Sequence, residues 1–522
     1  MGLSEPSWMC QMSTEIELKF FAERDITAEL EARLQQQTLL QQGESQLGNI
    51  YFDTPERQLR NWDCGLRVRS KDGHREQTLK TRGSSVGGLH QRGEFNLPVS
   101  GDWPQLADFP AEVWPEGTDV SALQQSLQPQ FRTDFLRRFW LVEFQGSRIE
   151  LAFDRGVIAV DERQEPLCEL ELELVEGDAG ALFALAASLL EMGGLRLSGV
   201  SKAQRGYRLA GLSPELEVQR MGFAPVTPEL SVSEALFTVL GYGVDHWQYH
   251  EELFMEQPSL ASLSQLHNGI ALLQQAQVLF GDLLVTLPPR PWQEALSWLD
   301  RELAWLDEAH ALERLIAERG HYFKPLHCRD ELLRALQARQ QALPTLESFQ
   351  ALLRSPRYSR LMLTLCQWFY ETRKLLPASP PVVVAEGEPT PLQRYAAEQL
   401  DQSWRELHGE QMTAPSLDYA GYLALVGPMR RNLLAGVSFA ALFDAESRDG
   451  FRLPWLNILR HMEDLAPFDV LDAVAASLST PARLELGEWL TSRVAPKLIE
   501  LDQTRQQALT MEPYWLFARA EA

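Results

Sequence analysis

Glu15-Ile16-Glu17-Leu18-Lys19 decides how this chain is read. The stretch alternates strictly: Glu15, Glu17 and Lys19 share one face, while Ile16, Leu18 and Phe20 share the other. Period-2 alternation is the pattern of a strand with one wet and one dry side. Standing alone it would describe an edge strand with a solvated face. It does not stand alone, because the pattern returns along the next two hundred residues.

Working outward, the spacing of Leu30, Leu34 and Leu40 predicts a helix over 26–40. Ile50-Tyr51-Phe52 reads as a strand running into the turn signal Asp53-Thr54-Pro55. From Cys64 to Arg69, Arg67 and Arg69 oppose Leu66 and Val68, and Lys71-Asp72-Gly73 predicts a hairpin turn. The partner strand sets Glu76, Thr78, Lys80 and Arg82 on one face, and glycines 83, 87 and 88 mark a loop. Arg92, Glu94 and Asn96 share a face on the next strand, whereas 101–130 is Pro- and Gln-rich and carries no pattern. Phe135–Phe144 and Arg148–Asp154 are two further strands joined at Gln145-Gly146-Ser147, the second setting Arg148, Glu150, Ala152 and Asp154 on one face. Then come Glu169, Glu171 and Glu173 alternating with Leu170, Leu172 and Leu174, a helix over 179–192, and the segment Ser201-Lys202 to Tyr207.

At least six strands thus pair a mixed-charge face with a continuous apolar one. An ordinary sandwich would turn the charges outward. A closed barrel with charges in its lumen and apolar faces covered by helices satisfies the same pattern, with mixed signs dense on consecutive strands. Inward charges are tolerable only when paired, hydrated or ligated. Clustered carboxylates (Glu15, Glu17, Glu169, Glu171, Glu173) suit a hard cation such as Mg²⁺ or Mn²⁺. Clustered cations (Lys19, Arg67, Arg69, Lys80, Arg82, Arg137, Lys202) suit a polyanion, and the two together are the equipment of phosphoryl transfer.

The ExExK of Glu15, Glu17 and Lys19, the RxR of Arg67 and Arg69, Lys80 with Arg82, the late ELELE and Lys202 before Tyr207 resemble the CYTH domain of triphosphate tunnel metalloenzymes. GGLHQRGEFN and CELELEL resemble the enterobacterial inorganic triphosphatases that carry a second, helical domain. The resemblance implies an eight-stranded antiparallel tunnel and metal-dependent hydrolysis of inorganic triphosphate to diphosphate and phosphate. It implies metal ligation by Glu15, Glu17, Glu171 and Glu173, with Glu169 on the same face. Lys19, Arg67, Arg69, Lys80, Arg137 and Lys202 would bind phosphate oxygens. Glu94 and Asp154 match acidic tunnel positions able to order the attacking water, while Arg82 and Glu150 rest on strand phase. Adenylate cyclase or thiamine triphosphatase activity within the same fold, and a non-catalytic polyphosphate or nucleotide sensor, stay open at this point.

With 522 residues, several domains are expected. The formal net charge of −24 disfavours nucleic acid and acidic membranes as partners. The five cysteines form no CxxC pair, which argues for a reducing cytoplasm. No apolar run is long enough to span a bilayer, and the N-terminus lacks secretory-signal character. The expected organisation is a disordered extension over 1–12, a tunnel domain over 13–212, a Pro-punctuated linker over 213–230, and a helical domain over 231–515 broken near 376–391. The fold class is α+β in two domains: an N-terminal antiparallel β-barrel with flanking helices and a C-terminal all-α bundle.

In the second half, Leu296, Leu299, Leu303 and Leu306 keep helical spacing, and Thr480-Pro481 predicts an N-cap followed by proline. This half resembles a CHAD domain, a pair of helical bundles linked in that family to polyphosphate. The family's histidine followed by close arginines is missing: His267 is followed by Leu272 and Leu273, and Arg430-Arg431 has no histidine before it. That departure counts against polyphosphate as a partner. His246 and His250 share a helical face, which describes a capped or solvated pair better than a metal site. The run His321, Lys324, His327, Arg329, Arg334 is the remaining anion-site candidate, weighed against a solvated surface, and the tryptophans read as core.

Overall fold

The computed structural model describes residues 13–317, 323–376 and 388–516. The proposed extension over 1–12, His321 and most of the break near 376–391 lie outside the described residues.

Long antiparallel ladders build the first half. The strands are β1 (Ser13–Ala22), β2 (Thr38–Asp53), β3 (Gly65–Lys71), β4 (His74–Val86) and β5 (Leu89–Pro98). β6 (Gln128–Phe144), β7 (Ser147–Val160), β8 (Arg163–Glu176) and the short β9 (Leu195–Leu197) follow. The order is β5-β4-β3-β2-β6-β7-β8-β1-β9, and β1 also pairs with β5, so eight strands close into a barrel. The opening stretch is therefore the seam: Glu17 lies opposite His90 on β5 and opposite Glu173 on β8. The Asp72-Gly73 hairpin forms as expected, both residues at positive φ.

The alternation sorts side chains as the charges required. Leu18, Phe20, Leu66, Val68, Ile149, Leu151, Leu170 and Leu172 are buried on the outer faces. The patternless stretch after Pro98 turns out to cover one of those faces: Leu106, Phe109, Trp114, Leu123 and Leu127 pack with Leu66, Val68, Leu79 and Phe95. Inside, Leu47, Phe135 and Leu167 form a small apolar cluster on the same strand phase as Asn49, Arg137 and Glu169.

Three local expectations are corrected. The helix predicted to reach residue 40 ends at Leu34, closing with Gln36 and Gln37 donating to Arg33 and Leu34 carbonyls, and Thr38 enters β2. Helical leucine spacing is a local preference, and the ladder to β6, starting at Thr38 opposite Glu143, overrides it. Gly83 lies within β4 rather than in a loop. In the helix Thr480–Ala508 the N-cap is Ser479, whose backbone N–H and hydroxyl donate to the Glu331 carboxylate.

The chain divides into two compact units, and the division is not a single cut: residues up to 217 group with 351–369, and 218–350 group with 370 onward. Within the first unit, Leu361, Met362, Leu365 and Cys366 on the helix Pro356–Leu375 are buried. Ser359 Oγ donates to the Leu195 carbonyl at 2.7 Å. Gly87 sits at positive φ with its Cα against Cys366, and a Cβ there would collide with the sulfur.

The second unit is all helix. Val232–Glu256 packs on Leu260–Leu279, Leu260–Leu279 on Tyr419–Phe439, and Leu306–Ala317 on Ala466–Ala475. Leu296, Leu299, Leu303 and Leu306 are buried as their spacing requires, and Trp247, Trp292 and Trp455 are core. The expected linker is not free chain throughout: Ala224 and Val226 are buried, and Ala224 N–H donates to the Val437 carbonyl at 3.0 Å.

Candidate active site

Strand phase and barrel closure bring the charged faces together around a cavity of about 290 Å³. Glu15, Glu17 and Lys19 line it from β1, Arg67 and Arg69 from β3, Lys80 from β4, Glu94 from β5. Arg137 reaches it from β6, Glu171 and Glu173 from β8, and Lys202 from the first turn of the helix Lys202–Leu209. That helix starts at a full capping box, with Ser201 Oγ accepting from Gln204 N–H and the Gln204 side chain accepting from Ser201 N–H.

One side of the cavity is tightly paired. Arg137 grips Asp154 through two 2.7 Å bonds and Glu171 through a third at 2.7 Å. Lys202 Nζ lies 2.8 Å from Glu169 and Glu171 and 2.9 Å from Asp154, and Lys19 Nζ is 3.0 Å from Glu171. Burial opposes the charge on Glu171, but Lys202, Lys19 and Arg137 hold it well below the usual carboxylate range. Asp154 and Glu169 are fully buried and do not line the cavity; Glu169 also takes Arg205 at 3.1 Å. These two carboxylates orient the cations from behind.

The other side holds more negative charge than its cations offset. Lys80 Nζ lies 2.6 Å from Glu15 and 3.6 Å from Glu94, and Arg67 lies 3.7 Å from Glu94. Burial, with Glu17, Glu94 and Glu173 nearby, still pushes Glu15 up to about 8 against the pull of Lys80. Burial, Glu17, Glu94 and Glu150 push Glu173 up to about 7. Crowded oxygen donors whose negative charge burial disfavours suit a divalent hard cation in chemistry. The geometry differs: among the described residues no three acidic, His or Cys groups stand close enough to hold one ion. Lys80 occupies Glu15 instead, so assembly of a metal site requires Lys80 to turn toward another anion.

One predicted residue sits differently from its strand phase. Arg82 is exposed and outside the cavity, because β4 slips register between Lys80 opposite Glu94 and Gly83 opposite Arg92. That bulge adds one residue and reverses the phase at Arg82. Among the described residues Arg69 has no carboxylate partner; its Nε donates to Asn49 Oδ1 at 2.9 Å, and Asn49 Nδ2 donates to Thr133 Oγ1 at 3.0 Å. Burial and the neighbouring Arg67 and Arg137 push Arg69 down to about 9.

His90 and Asn49 went unread in the sequence. His90 lines the cavity two residues before Arg92, so extending the phase of Arg92 and Glu94 backward finds it. Asn49 carried no signal, since its role depends on Arg69 arriving from another strand. Three buried nitrogens in this cavity have no hydrogen-bond partner among the described residues: Arg67 Nε, His90 Nε2 and Arg92 Nε. Unpaired buried polar atoms are costly, and a cavity that concentrates them is built to be completed by a ligand.

With this geometry in place, residues 13–207 match the family model of the CYTH domain. Residues 238–420 match the CHAD domain. An inorganic triphosphatase of Haemophilus influenzae is 42% identical over 203 residues, 38% of this chain and 55% of that protein. The chain thus spans about half the length of this curated relative. Among solved structures, a putative adenylyl cyclase from Hippeastrum with a dominant triphosphatase activity is 20% identical, covering 37% of this chain and 95% of its own, with a TM-score of 0.26. The CHAD domain of Ricinus communis is 22% identical, covering 57% of this chain and 98% of its own, with a TM-score of 0.42.

The candidate sites of the helical half fare differently. His250 Nδ1 lies 2.8 Å from the His246 carbonyl and its Nε2 accepts from Gln219 N–H at 3.1 Å, while His246 bonds Gln265 at 3.2 Å. Both rings are committed within the fold, as the capped-pair reading requires. His327 and the backbone N–H of Cys328 meet the Glu485 carboxylate, so an anion of the chain itself already sits there. His267 bonds Asp300 at 2.8 Å, and Arg430 bonds Asp307 and Glu463.

Proposed function

We propose that the CYTH tunnel hydrolyses inorganic triphosphate to diphosphate and phosphate with a divalent cation, Mg²⁺ or Mn²⁺. The observation that carries this reading is a small, mostly charged and polar lumen in which cations converge with three buried nitrogens that have no partner among the described residues. At about 290 Å³ it lies at the low end of small-molecule pockets, roughly 300–1,000 Å³, which favours a compact polyanion over a nucleotide. The identity to the Haemophilus influenzae triphosphatase over the same residues supports it.

Lys19, Lys202, Arg137, Arg67 and Arg69 would take the phosphate oxygens, with Asp154 and Glu169 holding the first three in place. Arrival of the polyanion offers Lys80 a competing partner and releases Glu15. Glu15, Glu17, Glu171 and Glu173 would then hold the cation, which supplies charge neutralisation of the phosphate oxygens and polarises water. Water adds to a terminal phosphorus as the bridging P–O bond breaks, and diphosphate leaves with the electron pair. The protein's work is alignment and electrostatic stabilisation, since phosphoryl transfer asks little covalent chemistry of it. A cytoplasmic location belongs to the same reading, supported by four free thiols among the described residues. No helix of the described residues is long and apolar enough to cross a membrane.

The test is phosphate release from tripolyphosphate, ATP, thiamine triphosphate and long-chain polyphosphate, with Mg²⁺ and with EDTA. EDTA-sensitive cleavage of tripolyphosphate well above the others is the expected result. Silence on all four by a folded protein overturns it.

A further inference from the structure

The helical unit holds a cleft of about 1290 Å³, larger than the roughly 300–1,000 Å³ of ordinary small-molecule pockets. Its walls are mostly aliphatic, including Val426, Leu434, Leu456 and Leu459, and at its rim Leu453 and Leu456 are 58% and 40% exposed. The charged groups around it are almost all neutralised from within. Arg430 is bound by Asp307 and Glu463, Arg314 by Asp464 at 3.0 Å, and His267 by Asp300. A polyphosphate chain would have to strip carboxylates from each of these.

Arg452 is the exception among the lining cations. It lines the cleft, is only 7% exposed, and pairs with no carboxylate among the described residues. Its guanidinium makes two long 3.3 Å bonds to the Leu433 carbonyl and lies 5.3 Å from the Phe223 ring centroid. The nearest acid, Asp449, is taken by Arg448 at 2.7 Å. Burial pushes Arg452 below its ordinary value, with Tyr514 and Asp449 pulling it up and Arg448 opposing them. The helix Tyr419–Phe439 presents Gly436 to this group, where any Cβ would collide with Nη1. A buried guanidinium without a counter-ion is costly unless an anion completes it.

We propose that this cleft binds an amphipathic monoanion, a long-chain aliphatic carboxylate, with its head on Arg452 and its chain along the leucine-lined wall. One uncompensated cation selects a single negative charge, and the apolar walls select the alkyl body. The site is independent of the tunnel and of its reaction.

The experiment is calorimetric titration of the full chain with dodecanoate below its micellar range, alongside dodecyltrimethylammonium and long-chain polyphosphate. The intrinsic tryptophan fluorescence, compared with that of a Trp455→Phe variant because Trp455 and Arg452 line one neighbouring void, gives a second readout. Dodecanoate is expected to bind one to one, and Arg452→Met to weaken it by about tenfold or more, as loss of one charge-assisted contact requires. Leu456→Glu, at an exposed rim position that tolerates charge, is expected to weaken it too and carries the test if Arg452→Met misfolds. Binding of the cationic amphiphile as tight as that of dodecanoate, wild-type affinity in both variants, or displacement of dodecanoate by polyphosphate overturns the proposal.

Discussion

The tunnel and the helical cleft contain similar mixtures of arginine, histidine and carboxylate, yet their electrostatic condition is opposite. In the tunnel, burial and then a crowd of neighbouring carboxylates raise the Glu15 and Glu173 carboxyls above their ordinary value, against the pull of Lys80. In the cleft, carboxylates neutralise every lining cation named above except Arg452. A count of charges therefore says little about a ligand. What matters is which charges the fold leaves unpaired, and the first site calls for a cation with a polyanion, the second for a single anion.

The sharpest way to break that contrast is to remove a tunnel carboxylate that organises several cations. Glu171→Gln unties Lys19, Lys202 and Arg137 together and is expected to lower turnover by about 10³-fold, in the range of lost transition-state contacts. Phosphate release with circular dichroism on the same sample checks it, and a folded variant with near-wild-type rate would remove Glu171 from the machinery. Glu15→Gln is expected to behave alike.

Next in size is a truncation. A fragment ending at residue 217 loses 351–369, whose Leu361, Met362 and Leu365 are buried in the tunnel unit. At roughly 1.5–3 kcal/mol per buried aliphatic side chain, the fragment should melt far lower or fail to stay soluble. A soluble fragment with full activity and unchanged melting would show that the segment is dispensable.

Arg69→Ala is expected to raise KM by about tenfold or more with a smaller change in kcat, since Arg69 is free to bind phosphate. Asn49→Ala should move KM in the same direction by less, and a pure kcat effect would contradict a binding role.

Glu173→Gln tests the charge excess through stability. The folded tunnel raises the Glu173 carboxyl from 4.5 to about 7, so its favourable contribution is complete below about pH 4.5 and is lost as pH rises through 7. The glutamine variant cannot ionise, so its gain in thermal stability over wild type should be absent at pH 4 and grow toward pH 8. A gain independent of pH would assign the effect to packing.

The smallest effect belongs to Arg82→Ala. Arg82 is exposed beyond the β4 bulge, and activity should stay within about twofold of wild type, as for surface substitutions.

Much of the tunnel was legible residue by residue. Glu15, Glu17, Lys19, Arg67, Arg69, Lys80, Glu94, Arg137, Glu171, Glu173 and Lys202 all line one cavity: alternation along each strand states which side chains share a face, while Lys202, on a helix, was marked by the family resemblance. Arg82 escaped because a bulge inserts one residue without a sequence mark. His90 escaped because the phase was not carried back far enough, and Glu169 and Asp154 share the right phase but lie behind the cations they orient. In the helical half the leucine and tryptophan core was readable, whereas the isolation of Arg452 was not.

The sequence by itself determined the two-part organisation, the inward charges of the first half and the helices of the second. Those follow from periods of two and 3.6, which are properties of a local backbone. Only the tertiary structure decided that β1 closes the barrel against β5, that 351–369 belongs to the tunnel unit, and that Lys80 pairs with Glu15. Each of these depends on a partner far away in the chain. The energy of a charge is set by what reaches it, not by its neighbours in sequence.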